Sequence, residues 1–85
     1  MYILRSKKNG RYYVGQTSNL WDRLRRHNEG RVKATRGAIP WVLMHTERYE
    51  TRRKAVERER EIKSKKSRGF IERLIDNTRG VAQPG

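Results

Sequence analysis

Residues 2–15 read YILRSKKNGRYYVG, and this stretch decides the fold. Two short runs of apolar and aromatic residues flank Asn9-Gly10, which is the strongest short signal for a β-hairpin. We therefore predict strands over residues 2–7 and 11–17, joined by a two-residue turn at Asn9-Gly10. The rest of the chain has to cover the two faces of this hairpin.

The two faces of the hairpin differ in character. A two-residue turn would pair Leu4 with Gly15, and side-chain alternation then places Tyr2, Leu4, Tyr13 and Gly15 on one face. The opposite face, which we assign to core packing, carries Ile3, Tyr12 and Val14. The glycine between the two tyrosines would let the backbone of a ligand approach closely. Tyrosines on a strand are also ordinary packing residues, so both interpretations stay open.

Helical periodicity and capping residues predict four more elements: a helix over residues 20–28, a strand over 41–47, a helix over 52–65 and a last helix after Ser67. Asn19 is the predicted N-cap of the first helix, and Glu50 or Thr51 that of the second. The order β-β-α-β-α-α predicts an α+β fold with a small three-stranded antiparallel sheet flanked by helices. We assign residues 1–75 to one domain and residues 76–85 to a flexible C-terminal tail.

The composition indicates a nucleic-acid partner. The 85 residues include 22 Lys and Arg against 9 Asp and Glu, a formal net charge of +13. A field of that sign concentrates polyanions and speeds their encounter with the protein. The sequence has no cysteine, which excludes disulfides and thiolate metal sites, and no apolar run is long enough to cross a bilayer. We expect a cytoplasmic protein that binds nucleic acid and not membranes.

Arg23 and His27 stand four residues apart in the first predicted helix, so their side chains are neighbours on its surface. Both lie beside the apolar stripe of Leu20 and Leu24, which would bring them to the border between helix and sheet. An arginine there offers a fork of donors that matches phosphate oxygens, and a histidine exchanges protons near neutral pH. The alternative is an ordinary solvated basic face of the helix.

Glu59 lies in an unusual place for a carboxylate. With about 100° of turn per residue, it falls near the middle of the apolar stripe of Ala55, Val56 and Ile62. A carboxylate there has to be paired or bound to a metal, because desolvating it alone is costly. Two interpretations stay open: an ion pair, with Arg23 as a candidate partner, and a ligand for Mg²⁺, which needs few protein carboxylates.

Other basic and polar residues are candidates for contacts with a nucleic-acid backbone. The candidates in the loop before the third strand are Lys33, Thr35 and Arg36, and those in the basic run after the second helix are Lys63, Lys65 and Lys66. Trp41, behind the loop, could stack on a base. The simpler interpretation is a solvated loop with Trp41 as a core residue.

Taken together, these residues resemble the GIY-YIG endonuclease family, and in particular its small stand-alone bacterial members. Tyr2-Ile3-Leu4 resembles the first motif and Tyr13-Val14-Gly15 the second, with valine in place of isoleucine. The more specific part is the downstream pattern Asn19-Leu20-x-x-Arg23-Leu24-x-x-His27-Asn28, followed by Ala55-x-x-x-Glu59-x-x-Ile62-Lys63. The resemblance covers about residues 2–75.

The resemblance implies an active site on one sheet face and hydrolysis of a phosphodiester with one divalent metal, Mg²⁺ or Mn²⁺. Carried onto this chain, it implies that Glu59 holds the metal and that Arg23 stabilises the developing phosphate charge. It also implies that Tyr2 is the general base, assisted by His27, and that Tyr13 positions the phosphate or the water. A tyrosine base needs a pKa below its usual value of about 10, which we expect Arg23, the metal and the positive field to provide.

The sequence therefore predicts a metal-dependent endonuclease that acts on DNA more readily than on RNA. Its cleavage would be structure-directed or weakly sequence-specific, because no additional module for reading bases is predicted. The rival is a non-catalytic basic protein that binds DNA or RNA on the same fold. Only the enzyme explains a carboxylate at Glu59. A third alternative is a nuclease subunit that a protein partner directs to its substrate.

Overall fold

A computed structural model describes residues 1–79, in which three strands pair into one antiparallel sheet with the order β2-β1-β3. The strands are β1 (Tyr2–Ser6), β2 (Tyr12–Gly15) and β3 (Trp41–Thr46), and the helices are α1 (Leu20–Asn28), α2 (Arg52–Lys65) and α3 (Arg68–Arg79). The predicted α+β fold and the order β-β-α-β-α-α are confirmed. None of the helices within residues 1–79 is both long enough and apolar enough to span a bilayer.

The register of the hairpin differs by two residues from the predicted one. Tyr2 pairs with Gly15, and Leu4 pairs with Tyr13 instead of with Gly15. A shift of two residues keeps every side chain on its face, because the side-chain period along a strand is two. The predicted faces are therefore correct although the predicted pairs are wrong.

The cause of the shift is Ser6, whose side chain organises a wider turn. Its hydroxyl oxygen accepts hydrogen bonds from the backbone N–H groups of Lys8 (3.0 Å) and Asn9 (3.2 Å). The same hydroxyl donates to the carbonyl of Ala38 at 2.6 Å. Gly10 closes the turn with a φ of +76°, a conformation that glycine adopts without strain. A serine at the end of β1 therefore overrides the two-residue turn that Asn9-Gly10 indicates.

The sheet separates two apolar cores. The face that packs against α2 and α3 is built around the buried residues Met1, Ile3, Val14, Ile62 and Ile75. The face that packs against α1 and the segment before β3 is built around the buried residues Tyr2, Leu4, Ala38 and Trp41. Each strand of the hairpin thus contributes alternate residues to both cores, which fixes the tyrosines on the side of α1.

The helices begin at the predicted caps. Asn19 Oδ1 accepts from the N–H of Asp22, and Thr51 Oγ1 accepts from that of Lys54, both at 3.2 Å. At the other end, α3 continues to Arg79, so the prediction of a tail is wrong for residues 76–79. The remaining part of that predicted tail, residues 80–85, lies outside the described residues.

Glu47 follows β3 directly and ties its end to α2. Its carboxylate accepts hydrogen bonds from Arg58 Nε at 2.9 Å and from the hydroxyl of Tyr49, and it lies 2.8 Å from His45 Nε2. Burial acts to raise the pKa of this carboxyl, but the hydrogen bonds from Arg58, Tyr49 and His45 outweigh burial and lower it to about 2. The ionised carboxylate is therefore part of the folded structure.

We expect Glu47→Gln to remove a stabilisation that depends on pH. Because the pKa of the folded state lies below the ordinary value of about 4.5, the carboxylate stabilises the fold above that value. This contribution is lost as the pH falls from about 4.5 to about 2. At pH 7 the substitution should cost about 1–3 kcal/mol, measured as a lower melting temperature.

The matched control is Glu57→Gln on α2, where the carboxylate is exposed and pairs with the exposed Arg53. It should change the free energy of unfolding by no more than about 0.5 kcal/mol. Equal losses of melting temperature for the two variants at pH 7 would contradict the role of Glu47.

Candidate active site

The phenol of Tyr2 and the imidazole of His27 meet between β1 and α1. The hydroxyl of Tyr2 lies 3.0 Å from His27 Nε2, and both side chains are buried, His27 with 0% exposure. Burial lowers the pKa of His27, and the positive charge of Arg23 lowers it further. The imidazole is therefore neutral at pH 7.

Thr35 contacts His27 on the other side of the imidazole and completes a buried series of three hydrogen-bonded side chains. Its Oγ1 lies 2.7 Å from His27 Nδ1 and donates to the carbonyl of Val32 at 3.4 Å. The tautomer consistent with both Thr35 contacts carries the imidazole proton on Nδ1, where Thr35 Oγ1 accepts it, and leaves Nε2 to accept from Tyr2. The prediction that Thr35 contacts nucleic acid is wrong, since its exposure is only 1%.

Asn28 and Trp41 hold Thr35 in that position. Asn28 Nδ2 donates to the carbonyl of Trp41 at 3.1 Å, and the N–H of Trp41 donates to Asn28 Oδ1 at 2.6 Å. Trp41 Nε1 in turn donates to the carbonyl of Thr35 at 2.8 Å. Trp41 is a core residue, as the simpler interpretation held, and it links the loop to the end of α1.

The ring of Tyr2 lies over Gly15, its partner on β2. A Cβ atom on Gly15 would lie 2.6 Å from the hydroxyl oxygen of Tyr2 and 3.2 Å from a ring carbon of Tyr13. Gly15 therefore makes room for a tyrosine ring and not for the backbone of a ligand, which corrects the prediction for this position. Because glycine has no side chain, the ring of Tyr2 can pass over Gly15 and reach His27.

Tyr13 and Arg23 both act on the Tyr2 hydroxyl. The ring centroid of Tyr13 is 6.4 Å from that of Tyr2 and 5.0 Å from that of His27. Burial raises the pKa of Tyr2 to about 12, and the phenol of Tyr13 adds to this, whereas Arg23 acts in the opposite direction without prevailing. Without a metal, Arg23 and the positive field do not lower the pKa of Tyr2, because desolvation of the phenolate dominates.

Glu59 reaches the same corner of the sheet from α2. Its side chain is 18% exposed, and Oε1 lies 2.9 Å from Lys63 Nζ. Its charge acts to raise the pKa of Tyr2, and Lys63 Nζ lies 5.9 Å from the ring centroid of Tyr13. The carboxylate is thus near both tyrosines. Its ion-pair partner is Lys63, one turn further along the helix, and not the predicted candidate Arg23.

The Glu59 carboxylate, an oxygen donor, suits a hard, hydrated cation. Within residues 1–79, no group of three or more His, Cys, Asp or Glu side chains is placed to enclose a metal ion. A single carboxylate fits Mg²⁺ or Mn²⁺, since such ions retain waters and take further oxygen ligands from a phosphate. Glu59 is the residue that would hold the ion. Its pair with Lys63 is no obstacle, because that lysine is 53% exposed and such pairs are weak.

The lysines and arginine that were predicted to contact nucleic acid lie on the surface. Lys33, Arg36, Lys63, Lys65 and Lys66 are all exposed. Exposure is what a contact with a phosphate backbone requires, and the contact itself stays a prediction for these five lysines and arginines.

A cleft of about 990 Å³ opens between the start of α1 and the segment that joins β3 to α2. Tyr2 and Arg23 are among the residues that line it, so a ligand in the cleft would lie next to both residues. The buried hydrogen-bonded series Thr35–His27–Tyr2 therefore ends at a residue that lines the cleft.

Comparisons with known proteins agree with this geometry. The GIY-YIG catalytic domain matches residues 1–72. The chain belongs to the GIY-YIG family. The resemblance found in the sequence motifs is thereby confirmed, and the nuclease-like fold with it.

Relatives of this GIY-YIG chain span most of its length. A UPF0213 protein of Natronomonas pharaonis is 44% identical over 69 residues, which cover 80% of each chain. A UPF0213 protein of Bacillus velezensis is 39% identical over 75 residues, covering 84% of this chain and 75% of the relative. A UPF0213 protein of Haloquadratum walsbyi is 40% identical over 73 residues, covering 85% of this chain and 81% of the relative. No solved structure shows a significant match.

The sequence indicates Thr35 as a site residue in another role, because nothing in its polar, basic surroundings shows that it turns inward to His27. Trp21 has no predicted role, although the exposed Arg25 one turn later on α1 marks the same helix face as solvated. A tryptophan on such a face is an exposed aromatic residue.

We expect Thr35→Val to weaken the fold by removing the acceptor of the His27 Nδ1 proton. A buried donor left without a partner costs about 1–3 kcal/mol, which denaturant unfolding would measure. Thr35→Ser keeps the hydroxyl and should retain most of the stability. If the valine and serine variants unfold at the same denaturant concentration, the hydrogen bond to His27 is not what Thr35 supplies.

We expect Gly15→Ala to displace the ring of Tyr2 and to cost about 1–3 kcal/mol, because the added methyl group would overlap the tyrosine. Gly37→Ala is the matched control, since a Cβ on Gly37 would meet no atom within 4 Å. The shift of the His27 ring signals in NMR spectra should accompany the loss of stability in the first variant only. An unchanged Gly15→Ala protein would refute the close packing of Tyr2 on β2.

Proposed function

We propose that this GIY-YIG protein is a divalent-metal-dependent endonuclease that hydrolyses phosphodiester bonds in DNA. The observation that carries the proposal is the buried chain of Thr35, His27 and Tyr2, which ends in a cleft beside Arg23 and near Glu59. A proton acceptor, a guanidinium and a carboxylate around one hydroxyl are the groups that phosphodiester hydrolysis uses. The net charge of +13 suits the polyanionic substrate.

Tyr2 and His27 would accept a proton as a unit. With a pKa of about 12, the phenol of Tyr2 keeps its proton at neutral pH, so a free phenolate is not available to a water molecule. The hydrogen bond to neutral His27 offers another route: the Tyr2 oxygen takes the proton of the attacking water while its own proton passes to Nε2. Thr35 Oγ1 holds the imidazole in one orientation throughout.

The proton would then leave His27 readily. Burial and the charge of Arg23 both disfavour the imidazolium, as the lowered pKa of His27 reflects. As water adds to phosphorus, the bond to the leaving nucleotide breaks, and the leaving oxygen on the opposite side of the phosphorus takes its proton from solvent. The proton held by His27 passes back through Tyr2 to a water in the cleft, so the pair ends the reaction in its starting protonation state.

Arg23 and Glu59 would act on the phosphate group. The guanidinium of Arg23 matches phosphate oxygens and would stabilise the charge that develops on them. Glu59 would hold Mg²⁺ or Mn²⁺, which when bound supplies Lewis acidity to a phosphate oxygen. A cation near Tyr2 would also oppose the burial that raises the pKa of this phenol. Tyr13 would position the phosphate or the water.

The non-catalytic alternative, a basic protein that binds DNA or RNA on this fold, accounts for the charge. It does not account for Glu59, because a half-buried carboxylate that faces phosphates weakens the binding of a polyanion. We further propose DNA in preference to RNA, structure-directed or weakly sequence-specific cleavage, and a cytoplasmic location. A protein partner that targets the nuclease is compatible with the same site.

We expect Glu59→Gln to lower metal-dependent DNA cleavage by more than about 100-fold, because the ligand for the cation is lost. Binding measured in EDTA should stay within about twofold of wild type, since the phosphate contacts come from other residues. The assay compares Mg²⁺, Mn²⁺ and EDTA on linear, nicked, single-stranded and branched DNA.

Glu57→Gln serves as the control on the same helix and should cleave as wild type does, because its carboxylate is exposed and pairs with Arg53. Cleavage that survives Glu59→Gln would refute the metal assignment. Binding without any cleavage by the wild-type protein would favour the non-catalytic alternative.

A further inference from the structure

Two exposed aromatic side chains line the cleft that leads to Tyr2. Trp21 on α1 is 72% exposed and Tyr49, just after β3, is 38% exposed. Neither side chain belongs to the two apolar cores of the described residues. Trp21 is exposed to solvent, whereas the other large apolar residues of α1 face the sheet. It therefore does not pack in a core, and its exposure indicates a role in binding.

The surroundings of these two rings are polar and positively charged. The charged side chains that line the cleft are the cations Arg23, Arg48 and Arg52 and the anions Glu47 and Glu50. Glu47 is already engaged by Arg58 and Tyr49. Exposed aromatic rings within a basic groove are the combination by which proteins hold unpaired nucleotides: the rings stack on bases, and the cations follow the backbone.

We propose that this cleft binds an unpaired nucleotide of the substrate, with a base stacked on Trp21, next to the phosphate at Tyr2 and Arg23. The inference rests on the proposed function of the adjoining site and specifies its substrate. Stacking on a side chain requires a base whose face is open, and within a continuous duplex each face is covered by the neighbouring base pair. The preferred substrate is therefore a nucleic acid with a single-stranded segment at the cleavage point.

The volume and shape of the cleft agree with one or two nucleotides. Its volume of about 990 Å³ lies at the upper end of the roughly 300–1,000 Å³ found for ligand pockets. Polar groups from Thr17, Ser18 and Asn19 line it beside Trp21 and can reach a sugar or a phosphate.

The test measures binding in EDTA, so that it does not depend on cleavage. Three fluorescently labelled probes with equal numbers of phosphates are compared by anisotropy: a single-stranded dT oligonucleotide, an abasic strand and a blunt duplex. We expect Trp21→Ala to weaken dT binding by about 5- to 100-fold and to leave binding of the abasic strand and the duplex within about twofold. Trp21→Phe, which retains a flat ring, should restore most of the dT affinity.

The matched control is Val42→Ala, which truncates a partly exposed apolar side chain on β3 outside this cleft. It should bind all three probes as the wild-type protein does. A second measurement needs no variant: of the two tryptophans, Trp41 is buried and Trp21 is exposed, so an unlabelled dT strand should quench the intrinsic fluorescence while the abasic strand does not.

Equal binding of dT by wild type and Trp21→Ala would overturn the proposal, as would an equal loss for the abasic strand. Absence of quenching by dT, or a wild-type preference for the duplex, would overturn it too. The proposed function fails separately: if wild type cleaves no DNA but shows the dT-specific loss, the cleft binds unpaired nucleotides without catalysis. If it cleaves and the loss is absent, only the stacking inference falls.

Discussion

The hydrogen bond between the Tyr2 hydroxyl and His27 Nε2 is the constraint on which the rest of the site depends. It joins the central strand to the helix that crosses it, and it forms only because Gly15 leaves room for the tyrosine ring. Thr35 fixes the histidine from the other side, so that a loop rich in basic surface residues also contributes a buried side chain to the site. Two polar side chains can be fully buried here because each finds its partner. The Tyr2–His27 pair thus links two elements of the fold and also positions the groups of the candidate site.

How far the sequence predicts this molecule depends on how local each signal is. The limits of α1 and α2 follow from caps and periodicity and agree with the structure at both ends. The faces of the hairpin are also correct, because alternation survives a shift by two residues. The pairing itself is not, since the Ser6 hydroxyl builds a wider turn than Asn9-Gly10 alone would make. A side chain that bonds to nearby backbone groups competes with the turn type in a way that dipeptide signals do not show.

The site was predictable in its membership and less so in its electrostatics. That Tyr2, His27 and Glu59 share one corner is what the resemblance to the GIY-YIG family implies, whereas spacing and the interrupted apolar stripe only single out each residue on its own element. Arg23 is only a candidate partner for Glu59 from the sequence, and the structure pairs the carboxylate with a lysine one turn away. Abundant cations favour a lowered pKa of Tyr2, yet desolvation of the buried phenol outweighs the effect of Arg23 and raises it. Burial depends on the packing of all elements together, which a linear sequence does not display.

The position of the N-cap of α2 limits where insertions and deletions can be tolerated in related proteins. Thr51 sets the first residue of the helix, and Glu59 follows about two turns later. Each residue inserted or deleted between them would rotate the carboxylate by about 100° around the helix axis, away from the tyrosines. A change in the number of residues ahead of Thr51 would leave that angle intact. Insertions and deletions should therefore accumulate in evolution before the cap and be rare in the two turns that follow it.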